Sequence, residues 1–411
     1  MRHVNMNDIV SIFCPSNALN LSSSPLRVQQ SLMQHRLDVS DKSRTSVLPW
    51  RGQFSPELIE YLLEEEGRAA KKILDPFCGS GTVSYEAAAK NKDCYLFDIN
   101  PAAICLAQLA TACNLDIIAR KFILQNIEHL GSMFLHIASQ SNGHLSSEEA
   151  VRVTKDQNYY LTCGKFIEAF LLNIFGNNKE VDNKKISRGV TNFSCKLLNI
   201  PYFDGKIDIS IGDARFLDIE DGSIDLILTS PPYINVFNYH QNYRPIVEAL
   251  GYSPLEAAKA ELGANRKFRQ NRFMTVIQYC IDMALFFVEA SRLLSEKGKM
   301  VIVLGRESAV RGVSFKNAEL IAAIASEGLG WTIHKWNERV FTNRYGEQIY
   351  EDVIVMTKGY CSSRQAITVG KLVGIESLRR SLSYAPNDRM TEIDAAINNA
   401  RNIKPSPKLV V

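Results

Sequence analysis

Short apolar runs with sharp polar boundaries dominate the middle of the chain. Lys72-Ile73-Leu74-Asp75 reads as a strand, Pro76 to Gly81 as a glycine-containing turn, and Thr82 to Lys90 as a helix. Asp93-Cys94-Tyr95-Leu96-Phe97 forms a second strand that ends at Asp98. Strand, glycine turn, helix, strand and terminal acid, in that order, open a doubly wound α/β domain. Ala102 to Ala112 continues as an apolar helix. Residues 116–200 carry helical repeats such as Phe166-Ile167-Glu168-Ala169-Phe170-Leu171-Leu172, broken at Gly176-Asn177-Asn178 and at Asp182-Asn183-Lys184-Lys185. Strand patterns resume only afterwards, at 207–211, 224–229, 300–304 and 352–356, with a helix from about Thr275 to Leu294 between them. The expected organisation is a polar lead-in (1–46), a first half of the α/β domain (47–115) and a mainly helical insertion (116–205). A second half (206–360) and a tail (361–411) ending in a loose, Pro-containing segment follow.

Composition narrows the class without naming a partner. The chain has 411 residues, 46% hydrophobic and 22% charged, which excludes disordered, collagenous and coiled-coil chains. Lys+Arg 47 against Asp+Glu 44 leaves only +3, so any basic surface must come from local clustering. The nine cysteines include no CxxC pair, which argues against a disulfide framework and a thiolate metal site, and no metal is expected. No uninterrupted apolar run of about eighteen residues occurs, so no membrane span is expected, and a reducing cytoplasm is the expected compartment.

Two constellations carry the chemistry. In Asp75-Pro76-Phe77-Cys78-Gly79-Ser80-Gly81-Thr82, the glycines let the backbone turn tightly against a ligand, and the next helix offers free N–H groups. Asp98, 23 residues after Asp75 at the end of the next strand, can accept both hydroxyls of a ribose. The spacing is neither GxGxxG nor GxxxxGK[ST], and a purely structural glycine turn is the competing reading. The second constellation, Thr229-Ser230-Pro231-Pro232-Tyr233, follows an apolar strand. Two prolines stiffen the segment and bare its carbonyls. Ser230 and the Pro231 carbonyl can accept N–H bonds from an exocyclic amine, and Tyr233 can stack on its ring. An ordinary Ser-Pro-Pro loop is the alternative.

Together these segments resemble motifs I and IV of the amino-directed, S-adenosylmethionine-dependent DNA methyltransferases. Trp50-Arg51-Gly52-Gln53-Phe54-Ser55-Pro56 resembles the segment that often precedes motif I, without its usual opening histidine. Gly212-Asp213-Ala214 resembles the segment that holds the cofactor adenine, and Arg344 to Lys358 the late hairpin. The resemblance implies a Rossmann-like methyltransferase fold with S-adenosylmethionine held by Phe54, Asp75, Pro76, Phe77, Gly79, Ser80, Gly81, Thr82, Asp98 and Asp213. It further implies catalysis by Ser230, Pro231, Pro232 and Tyr233 on a base flipped out of double-stranded DNA. Ser at the first catalytic position resembles cytosine-N4 enzymes. Adenine N6 in DNA, guanine N2 in RNA, and a non-catalytic DNA-binding subunit are the alternatives. A cognate restriction endonuclease is the partner this resemblance implies.

Carbon-5 methylation needs a thiolate, usually in a Pro-Cys pair, and the chain contains none; Cys78 reads as a packing residue. For DNA contact the expected residues are Asn235, Tyr239, Tyr243 and Arg244, which mix aromatic, amide and basic groups, and the cations Arg266, Lys267, Arg269 and Arg272. A solvated helix face is the alternative for the second group.

Overall fold

The computed structural model describes residues 32–40, 42–234, 239–263, 268–343 and 346–409. The central strands are β1 (Lys72–Asp75), β2 (Asp93–Asp98), β3 (Ile207–Ile211), β4 (Ile224–Thr229), β5 (Leu294–Gly305), β6 (Thr332–Thr342) and β7 (Gln348–Thr357). They form one sheet in the order β3-β2-β1-β4-β5-β7-β6. The first five run parallel, and β7 and β6 complete the edge as an antiparallel hairpin. The chain builds outward from β1 through β2 to β3, then returns to place β4 on the other side of β1. That reversal separates the loops at the carboxyl ends of β1 and β4 and leaves a crevice between them.

Both faces of the sheet are covered, which is why its strands read as nearly continuous apolar runs. Along β5, Val301 and Val303 join the core on one face, and Met300, Ile302 and Leu304 the core on the other. The helices α1 (Pro56–Glu65), α2 (Thr82–Ala89) and α3 (Pro101–Ala107) cover the first face. The second is covered by α4 (Met274–Leu293) and α5 (Ser363–Ser381). Between α3 and β3 the chain leaves the sheet and forms helices at Ile117–Gln140, Ser147–Lys155, Tyr160–Phe175 and Asn183–Asn199. A two-stranded ribbon, His144–Ser146 against Glu180–Asp182, ties these together and has no counterpart in the sequence expectation.

Three elements add to or differ from the sequence expectation. The Pro-containing end of the tail is not loose, since the Ser406 and Pro407 carbonyls accept from Arg215, and before it α5 and a further helix, Asn387–Asn398, join the second core. Gly370 and Gly374 make that docking close, since a Cβ would lie 2.5 Å from the Ile281 Cα at the first and 2.7 Å from the Ile277 Cα at the second. Next, α4 is long and apolar enough to cross a membrane by composition, yet it is buried inside the fold, as a core helix is. Finally, β6 was not anticipated, because Thr332-Ile333-His334-Lys335-Trp336-Asn337-Glu338 is an edge strand with polar residues on both faces.

Candidate active site

Asp75 ends β1 and is buried, and its Oδ1 accepts a 2.6 Å bond from the Thr229 hydroxyl at the end of β4. The two corners read from the sequence are therefore joined at their roots and open on the same side of the sheet. They share a cavity of about 1100 Å³, which Asp75, Gly79, Asp98, Ser230, Pro231 and Tyr233 help to line.

In the first corner, Gly79 and Gly81 adopt φ of +52° and +82°. The Gly79 N–H donates to Asp98 Oδ2 at 3.0 Å, and the Asn100 N–H donates to Oδ1 at 2.8 Å. These bonds fix the carboxylate where it lines the cavity. Burial pushes the Asp98 carboxyl up to about 6, with nearby Glu261 adding to the rise and the two N–H donors opposing it. Burial likewise pushes Asp75 up to about 7, against the bonds from Thr229 and the Phe77 N–H. Both carboxyls thus hold their protons better folded than unfolded, so their contribution to stability falls as pH rises from the ordinary carboxylate range through those values.

Phe54, Pro76, Phe77 and Thr82 also line the cavity. Ser80 and Gly81 do not: the Ser80 hydroxyl turns inward to the Leu48 carbonyl and Gln53, and Gly81 caps α2. They shape the turn rather than face a ligand. Asp213 reaches the cavity wall, but its carboxylate is already taken. Arg215, 1% exposed at its side chain, grips it with Nε and Nη2 at 2.9 and 2.7 Å. The same guanidinium bonds Asp282 and the carbonyls of Ser406 and Pro407, so the far end of the chain is strapped beside this segment.

In the second corner, the Ser230 hydroxyl lies 3.3 Å from that of Tyr233. The Tyr233 ring rests over Gly305 at the end of β5, where a Cβ would come within 2.7 Å of the ring. An aromatic roof that sequence reasoning missed lines part of the cavity. Trp50 lies parallel to Tyr239 and Tyr243, with ring centroids 6.3 and 6.1 Å away. Trp50 also presses on the glycine turn, since a Cβ on Gly79 would sit 2.6 Å from its indole. Gly79→Ala is accordingly expected to displace the indole and weaken donor binding about tenfold, roughly 1.4 kcal/mol; unchanged affinity by calorimetry would refute that packing argument.

Of the residues expected to meet DNA, Tyr239 and Tyr243 line the cavity, whereas Arg244, Arg269 and Arg272 do not. Tyr243 is 9% exposed, with its phenol bonded to the Pro49 carbonyl at 2.5 Å, so it serves the roof. Tyr239 joins it there. Arg244 pairs with Glu248 one helical turn on. Arg269 is exposed and Arg272 half-buried, both away from the cavity wall, while Asn235, Arg266 and Lys267 lie outside the described residues. His240 is buried 3.4 Å from Glu261, and burial pushes the Cys78 thiol well up, as befits packing residues. Among the described residues no cluster of metal-ligating side chains occurs.

Residues 53–197 match the family described as D12 class N6 adenine-specific DNA methyltransferase. The Type II methyltransferase M.MjaII of Methanocaldococcus jannaschii is 21% identical, over 69% of this chain and 76% of its own length. Among solved structures, an S-adenosylmethionine-dependent methyltransferase of Methanosarcina mazei overlaps 71% of this chain and 93% of its own, at 13% identity and a TM-score of 0.32. An rRNA methyltransferase of Streptomyces viridochromogenes overlaps 82% and 96%, at 12% identity and a TM-score of 0.30.

Proposed function

We propose, for a chain of the amino-directed, S-adenosylmethionine-dependent methyltransferase family, that it methylates an exocyclic amine in double-stranded DNA, with cytosine N4 the target. One observation carries this reading: the donor corner and the amine corner open into a single cavity at the sheet's reversal point. The chain's residues fit the donor. Asp98 presents carboxylate oxygens for ribose hydroxyls, the Gly79 turn lines the cavity under the Trp50 indole, and the start of α2 supplies N–H groups. When bound, S-adenosylmethionine supplies an activated methyl. The protein's task is then orientation: Ser230 and the Pro231 carbonyl hold the amine's N–H groups and turn its lone pair toward the donor. Tyr233 stacks on the extruded base and offsets part of the cost of flipping it.

Adenine N6 is the second reading. It is favoured by the family match, which spans the cofactor half and the helical stretch, whereas the target is argued from Ser230, which lies beyond it. Tritiated methyl transfer to duplex DNA and to tRNA, followed by nucleoside separation, distinguishes these outcomes. Label in N4-methylcytosine supports the reading, label in N6-methyladenine replaces the base, and label in tRNA alone overturns the DNA substrate. Modification of host DNA beside a cognate restriction endonuclease is the role we assign.

Donor binding should depend on pH through Asp98. Only the ionised carboxylate accepts from both ribose hydroxyls, so affinity should rise as pH passes about 6 and level off above it. Calorimetry across that range should show the rise in the native protein and its loss in Asp98→Asn; a flat native profile would count against the ribose assignment.

A further inference from the structure

The cavity holds a further carboxylate that no motif identifies. Glu261 directly follows the helix Pro254–Ala260, which packs against α3, the helix that begins just after Asp98. Its side chain is 9% exposed, and the residue lines the cavity. Among the described residues its carboxylate has one hydrogen-bond partner, His240, and that contact is long, 3.4 Å from Oε2 to Nδ1. A carboxylate offers about four acceptor positions, and burying one is costly unless donors fill them. The donors that complete Glu261 must come from what the cavity binds.

The sequence resemblance gives the cofactor adenine to the segment at Asp213, but that carboxylate is saturated. Arg215 Nε and Nη2 donate to its two oxygens at 2.9 and 2.7 Å, and the N–H groups of Arg215 and Leu409 add bonds at 3.1 and 3.4 Å. Glu261 stands beside this cluster, since the carbonyl of its chain neighbour Ala260 accepts from Arg215 Nη2 at 3.5 Å. Two residues on, a Cβ at Gly263 would lie 3.3 Å from the Tyr233 carbonyl. The short segment 260–263 therefore runs from the Asp213 cluster to the amine corner. Ile99, Ala214 and Leu262 line the same cavity and offer apolar surface to a planar ring.

We propose that Glu261 binds the donor's adenine, its carboxylate accepting from the exocyclic amine while Asp98 takes the ribose hydroxyls. The inference rests on the reading of the corner between Asp75 and Asp98 as the donor site, and it holds whichever base is methylated. An ionised carboxylate only accepts, so Glu261 favours a purine that carries an amine at carbon 6. A purine with a carbonyl there presents lone pairs to lone pairs, and one with hydrogen there leaves the buried acceptor unpaired. Asp213 then serves as scaffold: it fixes Arg215, which holds the Ala260 carbonyl and so places Glu261.

Calorimetry at one fixed pH, above the Asp98 titration, tests this with three ligands: S-adenosylhomocysteine, its analogue with hydrogen in place of the amine, and S-inosylhomocysteine. The native protein should bind the analogue without the amine about tenfold more weakly than S-adenosylhomocysteine, as expected for a lost bond to a charged group. In Glu261→Ala the same two ligands should bind within about twofold of each other. Glu261→Gln can turn its amide to donate to a carbonyl, and it should bind S-inosylhomocysteine about tenfold more tightly than the native protein does. A preference for the amine that persists in Glu261→Ala, equal losses for both ligands in that variant, or no preference in the native protein overturns the proposal. A native protein that binds none of the three overturns the donor reading itself.

Discussion

Replacing Tyr233 with alanine should slow methyl transfer about 100-fold, the cost typical of a reacting group misplaced by an ångström. Donor affinity should change by less than about threefold, under 1 kcal/mol. The asymmetry follows from where the side chain sits. In the proposed reading the donor's contacts belong to the corner between Asp75 and Asp98, whereas Tyr233 belongs to the second corner and stands over Gly305. Its ring is the face on which an extruded base would stack, a contact worth about 1–3 kcal/mol. Its hydroxyl also steadies Ser230 at 3.3 Å, so truncation removes both the platform and the aim of the amine acceptor. Single-turnover kinetics and calorimetry on the same preparation separate the two quantities. Equal losses in rate and donor affinity would contradict the stacking role.

Arg215→Ala should be the most destabilising of the substitutions considered, by about 3–5 kcal/mol, the usual cost of removing one partner from a buried charge cluster. The guanidinium satisfies both carboxylate oxygens of Asp213, bonds Asp282 at 2.7 Å, and takes the carbonyls of Ser406 and Pro407 at 2.9 Å each. Alanine would leave two buried carboxylates uncompensated and release the terminal strap. Because Asp213 and Ala214 line the cavity, donor affinity should fall along with stability. Denaturant unfolding checks the first effect and calorimetry the second; a stability loss under about 1 kcal/mol would mean the cluster contributes little beyond what surface ion pairs do.

What was legible in the sequence was local. Strand β1, its glycine turn, α2 and the acid ending β2 lie within thirty consecutive residues, and each obeys its own chemistry of periodicity and turn geometry. The Ser-Pro-Pro-Tyr corner was legible for the same reason, because proline imposes its conformation without help from distant partners. The features that stayed hidden depend on contacts between remote positions. Trp50 meets Tyr239 and Tyr243 only through the fold, so their stacking against it at the cavity was hidden. Asp213 looked available until Arg215 and the Ser406 and Pro407 carbonyls were placed around it. The Pro-containing end of the tail looked loose because its order comes from a remote partner, Arg215, which takes the Ser406 and Pro407 carbonyls.

A crystal structure of the protein with a non-reactive donor analogue and a duplex containing its recognition site tests the central claim most directly. The account expects the analogue's ribose at Asp98 and its reactive end beside the Gly79 turn. It expects one base extruded onto Tyr233, with its amine at Ser230, within about 3–3.5 Å of the transferable position. An analogue bound away from the corner between Asp75 and Asp98, or a duplex whose target base remains stacked outside the cavity, would contradict it.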